Sequence, residues 1–287
     1  MRKLLVTATI FAALLSQRAE ASMVIVDYLG DTTVRQSGVE RNLVINSDDD
    51  GVYDIAVRPL EDALTSSDGK YSIPLDKVFI NNNKEDVYLR YNDYSNLFYG
   101  ITMGGIPKNM VAKVRDYGMV PSGTYNLNFE IQATDIETGT VASMSTFNLQ
   151  FVVPVVQEIS LHGEIPKITV NTEDAFARGK KITNETSPMV YINSNCDWVL
   201  SVNANDFGKA AGNYYIRTIT ASPNVQERLQ ERVLLQEGKE IILAKGKAPA
   251  DNQYVTVEFS LEGKDGKIIK AGEYENRVRY ILREEER

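Results

Sequence analysis

The sequence predicts an all-β chain of two antiparallel β-sandwiches in tandem, behind a cleaved signal peptide. Three observations predict it. Runs rich in Val, Ile, Thr, Tyr and Phe alternate with a period of two. Gly, Asn, Asp and Ser clusters separate them at hairpin spacing. The pattern also occurs twice: Ile45-Asn46-Ser47 returns 147 residues later as Ile192-Asn193-Ser194, and Gly123-Thr124-Tyr125 returns 149 residues later as Gly272-Glu273-Tyr274. Between these landmarks Val52, Ile55 and Val57 match Val199, Val202 and Ala204 at the first offset. A repeat of this length means two copies of one folding unit.

The first element is an export signal, residues 1–21. Arg2-Lys3 starts it, Leu4 to Leu15 is mostly apolar, and Ala19-Glu20-Ala21 is a small-x-small cleavage pattern. The apolar run is too short to cross about 30 Å of hydrocarbon. Ser22 after the cut, where a lipid anchor would need Cys, leaves the product unanchored. The expected location is therefore exported: periplasm, cell surface or extracellular.

Residues 22–155 form the first expected sandwich, with strands at Leu43–Ile45, Val52–Val57, Val87–Tyr91, Tyr125–Ala133 and Thr146–Val153. Leu127, Phe129 and Ile131 alternate with Asn126, Asn128 and Glu130, which buries one face and wets the other. Glu61–Thr65 reads as one helical turn. Asp49-Asp50-Gly51, Ser67-Asp68-Gly69 and Pro121-Ser122-Gly123 supply residues that tolerate positive φ. Val152-Val153-Pro154-Val155-Val156 ends a strand at proline and hands on directly to the second copy, residues 156–287.

The second copy carries strands at Ile165–Val170, Met189–Ile192, Val199–Ala204, Tyr214–Ile219, Glu240–Leu243, Tyr254–Leu261 and Tyr274–Leu282. Val255, Val257, Phe259 and Leu261 alternate with Thr256, Glu258 and Ser260. Gly263-Lys264-Asp265-Gly266 reads as a hairpin turn into Ile268-Ile269. Val225–Leu235 holds the helix formers Gln226, Glu227, Arg228, Leu229, Gln230 and Glu231, and reads as a short helix or as a loop and a strand.

Composition excludes several functions. The 287-residue chain has 31 basic and 39 acidic residues; cleavage removes Arg2, Lys3, Arg18 and Glu20 and leaves 28 against 38. So acidic a protein is a poor partner for nucleic acid or an anionic membrane. Cys196 is the only cysteine, so no internal disulfide forms. His162 is the only histidine, so no multi-histidine metal site can be assembled. No phosphate-binding glycine loop follows a strand and opens a helix. No catalytic residue, cofactor or metal is expected.

Four residues are candidate partner-binding positions: Tyr94, Phe98, Tyr99 and Trp198. Tyr88, Tyr91, Tyr94, Phe98 and Tyr99 crowd into twelve residues, the last three among Asn92, Asp93, Ser95 and Asn96. Tyrosine with Ser, Asn and Gly gives a binding loop contact area at low entropy cost. Aromatics folded over the end of the core are the alternative. Trp198, the only tryptophan, is a core plug or a stacking platform; its counterpart in the first copy is Gly51. Tyr125 and Tyr274 read as structural tyrosines at the entry of a late strand, the hydroxyl bonded back to the main chain. Asn46–Gly51 resembles the first half of a calcium loop, but position twelve is Val57, not a bidentate acid.

With the Asn-Ser turns, the Trp198-Val199-Leu200-Ser201-Val202 strand and the two Gly-x-Tyr closures, the chain resembles bacterial secreted immunoglobulin-like repeat proteins of the surface, adhesin or fimbria-associated type. It departs from chaperone–usher pilins in its non-alternating start Met23–Val26, its charged stretch Arg283–Arg287 and its single cysteine. The resemblance implies a non-enzymatic structural or adhesive protein. Its partners would be other protein subunits or a surface receptor, met through the loop Asn92–Gly105 or through sheet edges, with strand-pairing oligomers as one outcome. A periplasmic two-domain assembly chaperone and a carbohydrate-binding accessory module are the alternatives.

Overall fold

The structure, a computed structural model, describes residues 24–35, 38–47, 50–102, 104, 106–115, 119–164, 167–175, 180–206, 212–263, 268–274 and 277–285. The expected export signal, residues 1–21, lies outside them. Among the described residues no helix is long and apolar enough to cross a membrane. The chain is all-β and divides into two compact units between Pro154 and Val155.

Unit 1 comprises β1 (Ile25–Tyr28), β2 (Thr33–Arg35), β3 (Gly38–Asn46), β4 (Val52–Pro59), β5 (Ala63–Ser66), β6 (Ser72–Pro74), β7 (Val78–Asn81), β8 (Asp86–Tyr88), β9 (Ser95–Thr102), β10 (Lys108–Val114), β11 (Gly123–Asp135) and β12 (Val141–Val153). One sheet runs β1-β3-β10-β7-β8 with β2 on β3; the other runs β6-β5-β11-β4-β9 with β12 on β11. Period-two alternation makes the core between them. Tyr53, Ile55 and Val57 of β4 and Tyr125, Leu127, Phe129 and Ile131 of β11 are buried against Leu43 and Ile45 of β3 and Met110 and Ala112 of β10.

Unit 2 comprises β13 (Gln157–His162), β14 (Ile168–Val170), β15 (Lys181–Thr183), β16 (Met189–Ser194), β17 (Trp198–Asp206), β18 (Gly212–Ala221), β19 (Val225–Arg228), β20 (Val233–Leu234), β21 (Glu240–Gly246), β22 (Ala250–Gly263), β23 (Gly272–Tyr274) and β24 (Arg277–Glu284). A four-residue helical turn spans Thr172–Ala175. One sheet runs β13-β16-β22-β18-β20 with β15 on β22, a second runs β19-β21-β17-β24, and β14 pairs with β23. Val190, Ile192, Leu200, Val202, Val255, Val257 and Leu261 form its core.

Four expectations are corrected. Glu61–Thr65 is not helical; Ala63–Ser66 is β5, held on β11 and β6. Of the two readings of Val225–Leu235 the helix is the one that fails: the segment contains β19 and β20, because the ladders on β21 and β18 outweigh weak helix propensity. Ile268-Ile269 is not a hairpin arm of β22; the next strand, β23, pairs with β14 instead, and residues 264–267 lie outside the description. The outer face of β22 is also not fully wetted. Thr256 and Ser260 are buried, Thr220 bonds Thr256 at 2.8 Å, and Glu258 is bridged by Arg217 (2.8 Å) and Lys181 (3.2 Å).

The two late-strand tyrosines share one geometry. Gly123 (φ 144°) and Gly272 (φ 154°) adopt backbone that suits glycine. The Tyr125 hydroxyl donates to the carbonyl of Pro121 at 2.9 Å, and that of Tyr274 to the carbonyl of Lys270 at 2.6 Å, both four residues upstream. Tyr125 is fully buried, so its loss orphans an acceptor away from water. Tyr125→Phe is expected to cost about 1–3 kcal/mol, and Tyr274→Phe, whose bond is exposed, under about 1 kcal/mol. Denaturant unfolding of the two variants checks the difference.

Candidate functional site

The aromatic cluster of unit 1 is built on strand edges. Asn92–Gly105 is not one loop: Ser95–Thr102 is β9, an edge strand paired with β4. The neighbouring β8 is the edge of the other sheet, and a tight turn joins them. In that turn Asn92 takes φ 56° and donates its amide to the carbonyl of Pro59 at 3.1 Å, while Asp93 closes on Arg90 at 3.2 Å. The Ser95 hydroxyl reaches the Tyr88 carbonyl at 3.0 Å and ties the two edges together.

The five aromatics separate by role. Phe98 stands opposite Ile55 and packs half-buried against the core. The Tyr94 hydroxyl donates to Glu130 Oε1, the atom that Arg58 Nη2 also meets at 2.7 Å, and the Arg58 guanidinium lies 5.0 Å from the Tyr94 ring centroid. Burial and then the Glu130 hydrogen bond and charge hold the Tyr94 phenol above its ordinary range, with Arg58 opposing. Tyr94 and Phe98 therefore support the sandwich.

Tyr99 is different. Asp54 of β4 faces two residues of β9, Tyr99 and Gly100, at a bulge. Gly100 takes φ 53° and donates its amide to Asp54 Oδ1 at 2.7 Å. The bulge leaves Tyr99 66% exposed, its hydroxyl accepting from Asn96 Nδ2 at 2.9 Å. Tyr88 and Tyr91 are 62% and 58% exposed. Tyr88 is braced against Phe79, ring centroids 5.7 Å apart. The open aromatic surface is thus Tyr88, Tyr91 and Tyr99. In the sequence the first two fit a strand and its end; their solvent-facing side depends on which sheets β8 and β9 join.

Trp198 is corrected as a binding position. It is 0% exposed and plugs the core of unit 2 at the start of β17. Its ring covers Gly246, where a Cβ would stand 2.4 Å from the indole. Of the two readings of Trp198, core plug or stacking platform, its burial fits the first, and it offers no open face in this fold.

The remaining chemistry-bearing residues stay apart. β13 pairs with β16 so that His162 faces Met189 and Gln157 faces Ser194. Cys196 follows Ser194, so His162 and Cys196 sit at opposite ends of this ladder, roughly 16 Å along it. His162 is exposed and meets the Tyr191 ring edge-on at 4.7 Å. Burial pushes the Cys196 thiol up, against the Ser194 bond. Asp48 and Asp49 of the calcium-like run lie outside the described residues, and Val57 is a buried core residue of β4. Among the described residues no three His, Cys, Asp or Glu side chains gather as a metal site.

No family model matches the chain, and no curated protein matches it. Two solved structures are similar over most of their length. The CupB6 tip adhesin from Pseudomonas aeruginosa is 8% identical, with 92% of this chain and 94% of that chain covered and a TM-score of 0.36. The C-terminal domain of the Streptococcus pyogenes antigen I/II-family protein AspA is 10% identical, with 92% and 96% covered and a TM-score of 0.25. Superpositions this loose carry no inference about what this chain does.

Proposed function

We propose that the chain is an exported, non-enzymatic structural or adhesive protein, built from two immunoglobulin-like sandwiches and working by contact with another protein at a surface. The observation that carries this reading is the exposure of three tyrosines in one short stretch of unit 1: Tyr88 on β8, Tyr91 in the turn that follows and Tyr99 on β9. Large rigid aromatics in water cost solubility and recur as anchors of protein contacts. Here a bulge, a turn and a ring contact hold them out, so they enter a contact with little ordering cost. The net acidity of the chain suits a protein partner better than nucleic acid.

The test is retention of fluorescent protein on candidate cell surfaces, read by flow cytometry. Replacing Tyr88, Tyr91 and Tyr99 together by serine is expected to cut retention by about tenfold or more, since anchor residues contribute about 1–2 kcal/mol each. Melting and circular dichroism should be unchanged, because none of the three lies in the core. Equal retention would remove the reading.

A further inference from the structure

Unit 2 carries a row of rings on the outer face of its larger sheet. β13, β16 and β22 lie side by side, with Ser160 opposite Tyr191 and Tyr191 opposite Tyr254. His162 is two residues further along β13, on the same face as Ser160. Val190, Ile192 and Val255, which flank the two tyrosines in the chain, point into the core, so the tyrosines point out. The His162 and Tyr191 ring centroids stand 4.7 Å apart, and those of Tyr191 and Tyr254 stand 6.0 Å apart. His162 is exposed, and Tyr191 and Tyr254 are half-buried.

The row ends at an open cavity of about 610 Å³, lined by Gly163, Glu164, Lys167, Glu185 and Thr186. Gly163 (φ 109°) follows His162 directly, and Thr186 lies three residues before Met189, the partner of His162. The wall that carries Glu185 and Thr186 is fixed from behind. Asn184 is buried; its amide donates to the Phe259 carbonyl at 3.1 Å, and its Oδ1 accepts from the Phe259 amide at 2.7 Å. The Glu185 amide donates to the Lys167 carbonyl at 3.3 Å and draws the two walls together. Glu164, Lys167 and Glu185 are exposed, and among the described residues their side chains form no ion pair or hydrogen bond. Sheet support accounts for the Tyr191–Tyr254 pair. It does not account for a row that runs on through His162 into a cavity with uncommitted donors and acceptors.

We propose that the row and the cavity together bind a neutral oligosaccharide as a single soluble chain. Aromatic faces carry partial negative charge and attract the slightly positive C–H groups of a sugar ring. The steps from ring to ring are close to the repeat of a linear pyranose chain, so His162, Tyr191 and Tyr254 seat successive units. Sugar hydroxyls donate and accept at once. Lys167 supplies donors, Glu164 and Glu185 supply acceptors, and Thr186 supplies both. Charge decides against other ligands. Glu158, exposed on the same face of β13, joins Glu164 and Glu185 in outnumbering Lys167, so an anionic glycan or a phosphate is repelled. A purely cationic ligand would meet the Lys167 ammonium. The ring planes are inclined by 63° and 47°, a stepped strip that suits one twisted chain and not the flat face of a crystalline polymer. This contact does not rest on the tyrosines of unit 1.

The test is an array of short linear glucose, galactose, mannose and N-acetylglucosamine oligomers, with oligogalacturonates as the anionic control, probed with the fluorescent full chain. At least one neutral series should bind and the anionic control should not. Titration with the bound oligomer should shift the imidazole proton resonance of His162, which is unambiguous because the chain has no other histidine. Tyr191→Leu combined with Tyr254→Leu should weaken binding by about tenfold or more. Because that pair also stiffens the sheet, Lys167→Ala and Glu185→Ala, at exposed positions, give a second readout: about fivefold weaker binding each, with melting unchanged. The triple serine variant of unit 1 should bind the array like wild type, so this proposal and the adhesive reading fail separately. Three results would overturn the proposal: no neutral oligomer bound, the anionic series bound as tightly as the neutral one, or binding that neither moves the His162 resonance nor weakens in the Lys167 and Glu185 variants.

Discussion

Replacing Trp198 by alanine is expected to destabilise unit 2 by about 3–5 kcal/mol, the range for emptying a buried aromatic site. The indole is wholly enclosed at the start of β17, packed on Gly246 of the neighbouring β21. The surrounding sheet cannot collapse to fill the gap, because the Trp198↔Gly246 and Trp198↔Glu284 registers hold both neighbours in place. Trp198→Phe should retain more than half of the stability. Gly246→Ala should act from the opposite side, since its methyl would overlap the ring. Calorimetry of the three variants checks the order. A stacking platform would behave otherwise, losing a ligand and little stability.

The contrast between Trp198 and the tyrosines shows how far residues speak for themselves. Alternation placed the buried faces of β4 and β11, because a sheet with one wet face writes its period directly into the chain. The Gly-x-Tyr corners were legible for the same local reason: a backbone that favours glycine and a hydroxyl reaching four residues back. Long-range pairing was not legible. Gln226–Glu231 favours a helix locally, yet Val225–Arg228 is drawn into a ladder with β21. Asn92, Ser95 and Asn96 read as loop, yet Ser95 and Asn96 pair with Val57 and Ala56 of β4. Tyr94 and Tyr99 look alike in sequence, and only Glu130 at one and the Gly100 bulge at the other separate support from display. The open edge of β24 is still harder to read, because it is a ladder that one copy of the repeat forms and the other does not.

Phe151→Ala and Leu282→Ala turn that asymmetry into a measurement. Phe151 is fully buried on β12, opposite Tyr125, and its truncation is expected to cost about 3–5 kcal/mol in unit 1. Leu282 packs against the core from β24 but is only half-buried, so its truncation should cost roughly 1–2 kcal/mol. Denaturant titrations read by circular dichroism for the first, and by Trp198 fluorescence for the second, give both numbers. The deciding comparison is the difference between the two. A Phe151→Ala cost no larger than that of Leu282→Ala would mean that pairing with β12 adds nothing to the burial along β11, and that the edge strand β24, with its exposed charged residues, closes its sheet as well as a paired strand does.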